Sequence, residues 1–433
     1  MMKYGIAVFL LALTPPVLAI SDSADDLQYR VMRGDTLEGL AHRGLKRLQD
    51  YRVIQQRNGI RDPRTIRAGT NLRIPRRLLR IEPVSARVVA LRGDVEIDGK
   101  RAAMGMLVNA GHTIRTGAVS FLTMELADTS VLTVPSNSRM EVLSLGKILL
   151  TGSVERRFLL RGGRVETQVS PLKNRGDSFE IRTPVATASV RGTRYRVTYQ
   201  DSATMAGASV LQGAVAVTGG SRDLLLGAGH GVAVDENAIR VPEALLPPPQ
   251  MGEADALQDA AQVSFHLGAV SGAAAYRAQM ATDAGFVDLF AEVDATTPMI
   301  EMAGIPDGSF FVRFSAITES GIEGRPATFT VERRRNDVTA EVGAAPDCPA
   351  KRCLLFRWRS NGEGDRTYRF QLSRSPEGVP VLDEPGMSST QIVVTDLAPG
   401  SYVWRVESSG QADGRAFAQW SDFEELRVAP LER

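Results

Sequence analysis

The chain has 433 residues, 43% of them hydrophobic, and a net charge of +1. That length supports about three or four domains, and the near-zero charge argues against a general nucleic-acid binder. With 40 Gly, 22 Pro and many short Val/Thr/Tyr/Phe runs, the composition favours β structure over helix. The charge is unevenly placed: Leu27 to Arg80 holds 14 Lys/Arg against 4 Asp/Glu, so this stretch faces, or sits beside, something anionic.

In chain order, Met1–Ala19 opens with Lys3, runs apolar from Gly5 to Leu13, breaks at Thr14-Pro15-Pro16 and ends in Val17-Leu18-Ala19. These are the three regions of a secretory signal peptide cleaved after Ala19. The apolar run of about 9–12 residues is short of the roughly 20 that a membrane span needs. No later stretch is long enough to span, and no Cys follows the cleavage site to take a lipid. The mature chain is therefore expected to lack a transmembrane anchor.

Residues 27–80 read as a β-α-α-β unit. Tyr29 and Val31 alternate as a short strand, Gly34-Asp35 turns, and Asp35 or Thr36 caps a helix that buries Leu37, Leu40 and Ala41. A second helix from about Arg47 to Arg57 stops at Asn58-Gly59, and Gly69 leads into a strand, Leu72 to Ile74, closed by Pro75. The Gly-Asp-Thr-Leu at one end and Ile66-x-x-Gly69-x-x-Leu72-x-Ile74-Pro75 at the other closely resemble the LysM family. That resemblance implies binding of N-acetylglucosamine-containing glycan, which for an exported bacterial protein means peptidoglycan. Carried onto this chain, the sugar groove falls on Gly34, Asp35, Thr36 and Leu37 and on the loop with Asn58, Ile60 and Ile66, with Arg67 at its edge. The excess arginines form either a solvated face or a contact with peptide-stem carboxylates and wall polymers.

From Pro83 to Val241 short strands recur about every ten residues between Gly turns, which predicts a stacked or rolled all-β region: roll, solenoid or sandwich. Thr183-Pro184-x-Ala-x-x-x-Val190-Arg191-Gly192-Thr193-x-Tyr195-x-Val197, with the Gly111 to Gly117 turn, resembles the FecR domain. The resemblance implies a periplasmic β domain, in a Gram-negative bacterium, that contacts another envelope protein. This chain lacks the membrane segment of the signalling members. Arg191, a charge inside an apolar strand-to-turn passage, reads as a buried ion pair or as an interface anchor.

A Pro-rich linker spans 242–252. Beyond it, 253–335 and 340–430 resemble each other, with Ile305-x-x-Gly308-x-Phe310-x-x-Arg313 in one and Leu397-x-x-Gly400-x-Tyr402-x-x-Arg405 in the other. Both look like β-sandwiches of the fibronectin type III class, with Trp358, Trp404 and Trp420 as core. The fold class is thus multi-domain and mainly β: a small βααβ unit, an all-β centre and two sandwiches.

Cys348 and Cys353 stand in Cys-Pro-Ala-Lys-Arg-Cys, with no His nearby to complete a zinc site. In an oxidising compartment they read as a disulfide-closed loop; a redox-active pair would instead be Cys-x-x-Cys opening a helix. His42, His112, His230 and His266 are scattered over different modules and match no catalytic motif. No enzyme, metal or cofactor is expected. The leading reading is a peptidoglycan-bound interaction protein. A sensor that relays envelope state to a membrane regulator and a cryptic wall hydrolase are the alternatives.

Overall fold

The computed structural model describes residues 26–174, 176–220, 222–345, 349–350, 352–362, 364–412 and 415–430. The expected signal peptide lies outside them. The chain is mainly β, and its described residues divide into two compact units: 26–84 with 145–155, 174 and 176–177, and the remainder.

In the first unit, the strands Asp26–Arg30 and Asn71–Pro75 pair antiparallel, setting Leu27 opposite Ile74 and Tyr29 opposite Leu72. The alternation seen in sequence places Tyr29, Leu72 and Ile74 inward, where they meet Leu37, Leu40 and Ala41 of the helix Leu37–Gly44 and Ile54 of the helix Tyr51–Arg57. Thr36, not Asp35, is the cap: its hydroxyl oxygen accepts from Gly39 N at 3.0 Å. Residues 145–155, which the sequence places in the central β region, belong to this core. Gly146 to Ile148 pair antiparallel with Ile81–Pro83, and Ile148 is buried in the cluster. Gly44 must be glycine, because a Cβ there would stand 2.3 Å from Leu150 Cβ. Arg76 closes an ion pair with the buried Glu155.

In the second unit, the central strands form two antiparallel sheets. One contains Phe121–Glu125, Val131–Val134, Val154–Gln168, Arg194–Gln200, Met205–Gln212 and His230–Val234. The other contains Ser178–Arg182, Ala186–Val190, Ala214–Gly219 and Arg222–Gly227. Successive hairpins alternate between the two sheets, and this two-sheeted region is called the roll below. Burial alternates strictly along Ala214–Gly219, turning Val215 and Val217 inward. Phe158 and Phe179 meet across the interior with centroids 5.5 Å apart.

The Pro-rich segment is docked along its length rather than spacing two bodies. Glu243–Ala244 adds a short strand beside His230 and Gly231. Arg325 N then donates to Leu246 O, and Gly268 N to Gln250 O.

Each of the two following modules is a sandwich of two sheets. In the first, Leu257–Gln258, Ala327–Arg333, Gly308–Ile317, Ala275–Ala281 and Leu289–Ala295 face the pair Val263–His266 and Met299–Met302 around Phe265, Phe314 and Met280. In the second, the sheet of Val338–Ala344, Cys353–Ser360 and Gln391–Thr395 faces one that includes Arg366–Ser373 and Gly400–Ala412. Phe356 and Trp404 lie 4.8 Å apart there. Gly308 and Gly400 both take a left-handed φ, +149° and +142°, at equivalent points of the repeated motif. Tyr402 bridges its own turn by donating to Ala398 O at 2.9 Å, the corner expected of such sandwiches. Trp358 and Trp404 are buried as expected. Trp420 is not core: it is half-buried, with the Arg405 guanidinium 4.1 Å from its ring.

The repeat extends to a polar rung. Gln279 lies between Glu292 and Arg313 on adjacent strands, accepting from Arg313 Nε at 2.7 Å and donating to Glu292 at 2.7 Å. Gln371 does the same between Asp383 and Arg405, at 3.3 and 3.1 Å. In the first sandwich the rung reaches the roll. Glu166, on Val154–Gln168, takes both terminal nitrogens of Arg313, with Arg194 at 3.3 Å and Arg196 at 3.5 Å. Arg196 and Arg277 then share Glu323 at 3.2 and 3.1 Å, and Arg277 holds Glu292 at 2.7 Å. Burial alone would raise the Glu166 carboxyl, but the charges of Arg313, Arg196 and Arg194 outweigh it and hold the group far below the usual carboxylate range.

Glu166→Gln leaves Arg313 buried without its carboxylate and Arg196 with Glu323 alone. It should therefore cost about 3–5 kcal/mol in denaturant unfolding of the full chain. Glu141→Gln removes a surface partner of Arg161 (2.8 Å) and should cost about 1 kcal/mol or less. Equal effects would show that burial of the Glu166 network does not matter to stability.

Candidate functional site

The surface that could hold a ligand in the first unit is made by two loops, Val31–Leu37 and Ile60–Thr70. Backbone bonds hold them side by side: Val31 N to Thr70 O and Gly69 N to Val31 O, both 2.8 Å, and Leu37 N to Pro63 O at 3.3 Å. Gly34 has φ +91° and a Cβ there would meet nothing within 4 Å, so the glycine serves the turn and leaves the backbone open.

The residues expected to line the groove separate into two kinds. Asp35 is part of the frame. It accepts from Tyr29 Oη at 2.8 Å, Met32 N at 2.7 Å and Arg43 Nη2 at 2.5 Å. Burial pushes its carboxyl up, yet these bonds and the Arg43 charge hold it below its ordinary value. Asn58 is a splint: its amide donates to Ile54 O and Arg73 O and accepts from Arg73 N, all within 2.9 Å. Thr36 is spent on the helix cap, Leu37 is fully buried, and Ile60 and Ile66 pack on the core from its margin. Gly34 and Arg67 are the exposed members.

Two residues at the site were missed by pattern reading. Met32 is 67% exposed beside the Gly34 turn; it is an apolar residue on the outward parity of the Tyr29–Val31 alternation, which was the available signal. Gln55 carries the second loop, donating to Ile60 O at 3.0 Å and Arg61 O at 3.4 Å. It had no signal, since its role depends on where the loop returns.

In the roll, Gly192 has φ +130°, and a Cβ there would stand 3.0 Å from Pro171 Cα. Thr193 donates to Ala214 O at 2.9 Å. The motif is thus a tight turn locked between sheets. Arg191 is exposed on it, which corrects the buried-pair reading: the turn lifts residue 191 outward, and the buried guanidinium is Arg196, five residues on. A cleft of about 1150 Å³ in this unit is lined by Arg139, Arg164, Asp201 and Asp294 among others. These charges neutralise one another, Arg139 with Asp201 and Arg164 with Asp294, both at 3.0 Å. Cys348 lies outside the described residues, so its pairing with Cys353 remains a proposal. Among the described residues no group of His, Cys, Asp and Glu is arranged to hold a metal, and no helix is long and apolar enough to cross a membrane.

Residues 29–75 match the LysM domain family and residues 112–216 the FecR protein family. The chain carries a LysM domain and a FecR domain. Neither family is an enzyme family. No curated protein matches the sequence. Among solved structures, a putative anti-sigma factor from Parabacteroides distasonis ATCC 8503 is similar at 18% identity and a TM-score of 0.26, over 30% of this chain and 59% of that one. This chain therefore spans about 59% of that structure's length. A two-domain fibronectin type III segment of chicken tenascin is similar at 12% identity and a TM-score of 0.21, over 42% of this chain and 99% of that one. The FN1–FN3 domains of chicken CNTN1 are similar at 12% identity and a TM-score of 0.21, over 57% and 95%.

Because the native Asp35 carboxyl lies below its ordinary 3.8, its contribution to stability is full above that value and is lost as pH falls through the native one. Hydrogen exchange of amides 26–75 should show the wild type better protected than Asp35→Asn at pH 7, with the gap closing in acid. A gap independent of pH would mean that the Asp35 charge is not what locks the loop.

Proposed function

We propose that this chain is a non-catalytic protein of the bacterial envelope, exported to the periplasm. In this reading the LysM groove holds peptidoglycan, while the roll and the two fibronectin type III-like sandwiches meet a protein partner. The observation that carries it is the division of labour in the LysM domain. Asp35 and Asn58 are consumed by the frame, and two loops with open backbone at Gly34 and an exposed Met32 are left to the solvent. Such a surface suits a sugar, whose acetamido group takes backbone hydrogen bonds and whose methyl packs on an apolar side chain. The FecR match favours a second reading, in which wall engagement is relayed to a membrane regulator, with Arg191 at the contact.

The full chain should co-sediment with purified sacculi, and chitin oligomers should compete. Absence of binding at low and moderate salt alike would overturn the glycan reading, and release of soluble muropeptides would overturn the non-catalytic one. Crosslinking from position 191 in cells tests the relay: capture of an inner-membrane regulator supports it, and a crosslink to wall-bound copies of this chain alone removes it. The exported protein is also expected to resist thiol labelling without reductant, through a Cys348–Cys353 disulfide. Ready labelling would count against that loop and against the oxidising compartment.

A further inference from the structure

Resting on the glycan-binding reading, we infer that the LysM domain selects peptide-bearing glycan, with four loop arginines meeting the free carboxylates of the stem peptides. The basic excess of this domain is partitioned by the fold. Arg43 pairs with Asp35 at 2.5 Å, Arg57 with Asp26 at 2.6 Å, and Arg76 with Glu155. Arg80 donates to His42 O and Arg43 O, each at 3.1 Å. These four are structural.

Arg33, Arg61, Arg64 and Arg67 are different. All are exposed, and all lie on the two loops that the Val31–Thr70 and Leu37–Pro63 backbone bonds hold together. Among the described residues no carboxylate pairs with any of their guanidinium groups. Of the acids on the same loops, the Asp35 side chain is 4% exposed and tied to Arg43, while Asp62 is exposed and accepts from Arg64 N at 3.0 Å. Four exposed arginines against one exposed acid leave the positive charge beside the groove in excess. A neutral N-acetylated sugar offers it nothing, whereas carboxylates branching from the glycan at regular intervals complement it. Because the side chains are solvated, each pair is weak and salt-sensitive, and the effect depends on several acting together.

The test uses the full chain and the fourfold variant R33Q/R61Q/R64Q/R67Q, with R47Q/R77Q as a control outside both loops. The ligands are intact sacculi, the same sacculi stripped of stem peptides by an amidase, chitin oligomers and heparin. The fourfold variant should lose on the order of tenfold affinity for intact sacculi. The threefold variant R33Q/R61Q/R64Q, which spares Arg67 at the groove edge, should also lose affinity for intact sacculi. Its affinity for stripped sacculi and chitin oligomers should stay unchanged, and R47Q/R77Q should behave as wild type. The thermal melt should not move, since the replaced groups pair with no carboxylate. Equal loss by the threefold variant on stripped and intact sacculi would overturn the inference, as would no loss on either. Loss matched by R47Q/R77Q, or preferential loss on heparin, would reduce the four arginines to a general polyanion surface. If the wild type binds none of the glycans, the glycan-binding reading itself fails; if it binds the stripped material, that reading stands whatever the arginines do.

Discussion

The Glu166 carboxylate sits where the roll meets the first sandwich, gripped through both oxygens by Arg313 and approached by Arg194 and Arg196. Three strands of the sandwich and two of the roll bring charges to this point that no single module could bury. Arg313, Arg196 and Arg277 are each nearly inaccessible, and a buried guanidinium without a carboxylate is strongly unfavourable. The two modules therefore satisfy each other. The docked Pro-rich segment follows from the same joint: with the bodies fixed, Leu246 O and Gln250 O have standing partners, and prolines without N–H groups cost nothing along it.

The second sandwich shows how the joint depends on what lies outside the repeat. Its rung, Asp383–Gln371–Arg405, copies Glu292–Gln279–Arg313 strand for strand. Arg405 has no Glu166. It is stacked instead against Trp420 and Phe423, 4.1 and 4.5 Å from the ring centroids. Aromatic faces satisfy a partly exposed guanidinium without a second module. One local motif thus yields a docked sandwich in one place and a self-capped one in the other.

In the LysM domain the separation runs between frame and surface. Polar residues that look available in a motif, Asp35, Thr36 and Asn58, are those the small fold cannot spare. A unit of this size has few hydrophobic contacts, and side-chain bonds to loop and strand backbone do part of the stabilising. What is left to the solvent is backbone, one exposed methionine and the arginines that found no acid.

Much of this was legible in the sequence, because it rests on local rules. Alternation set Tyr29, Leu72 and Ile74 inward, glycines marked the turns that need a left-handed φ, and the spaced Gly–aromatic–Arg motif marked two related sandwiches. What residues far apart do to one another was not legible. No pattern assigns Glu166 to Arg313, 147 positions away, or sends residues 145–155 to the LysM core. The exposure of Arg191, the burial of Arg196 five residues on and the stacking of Trp420 likewise follow from which surfaces meet. Periodicity fixes which face of a strand is apolar; only the packed chain decides which buried charges have a partner, and so which arginines hold the fold and which stay exposed.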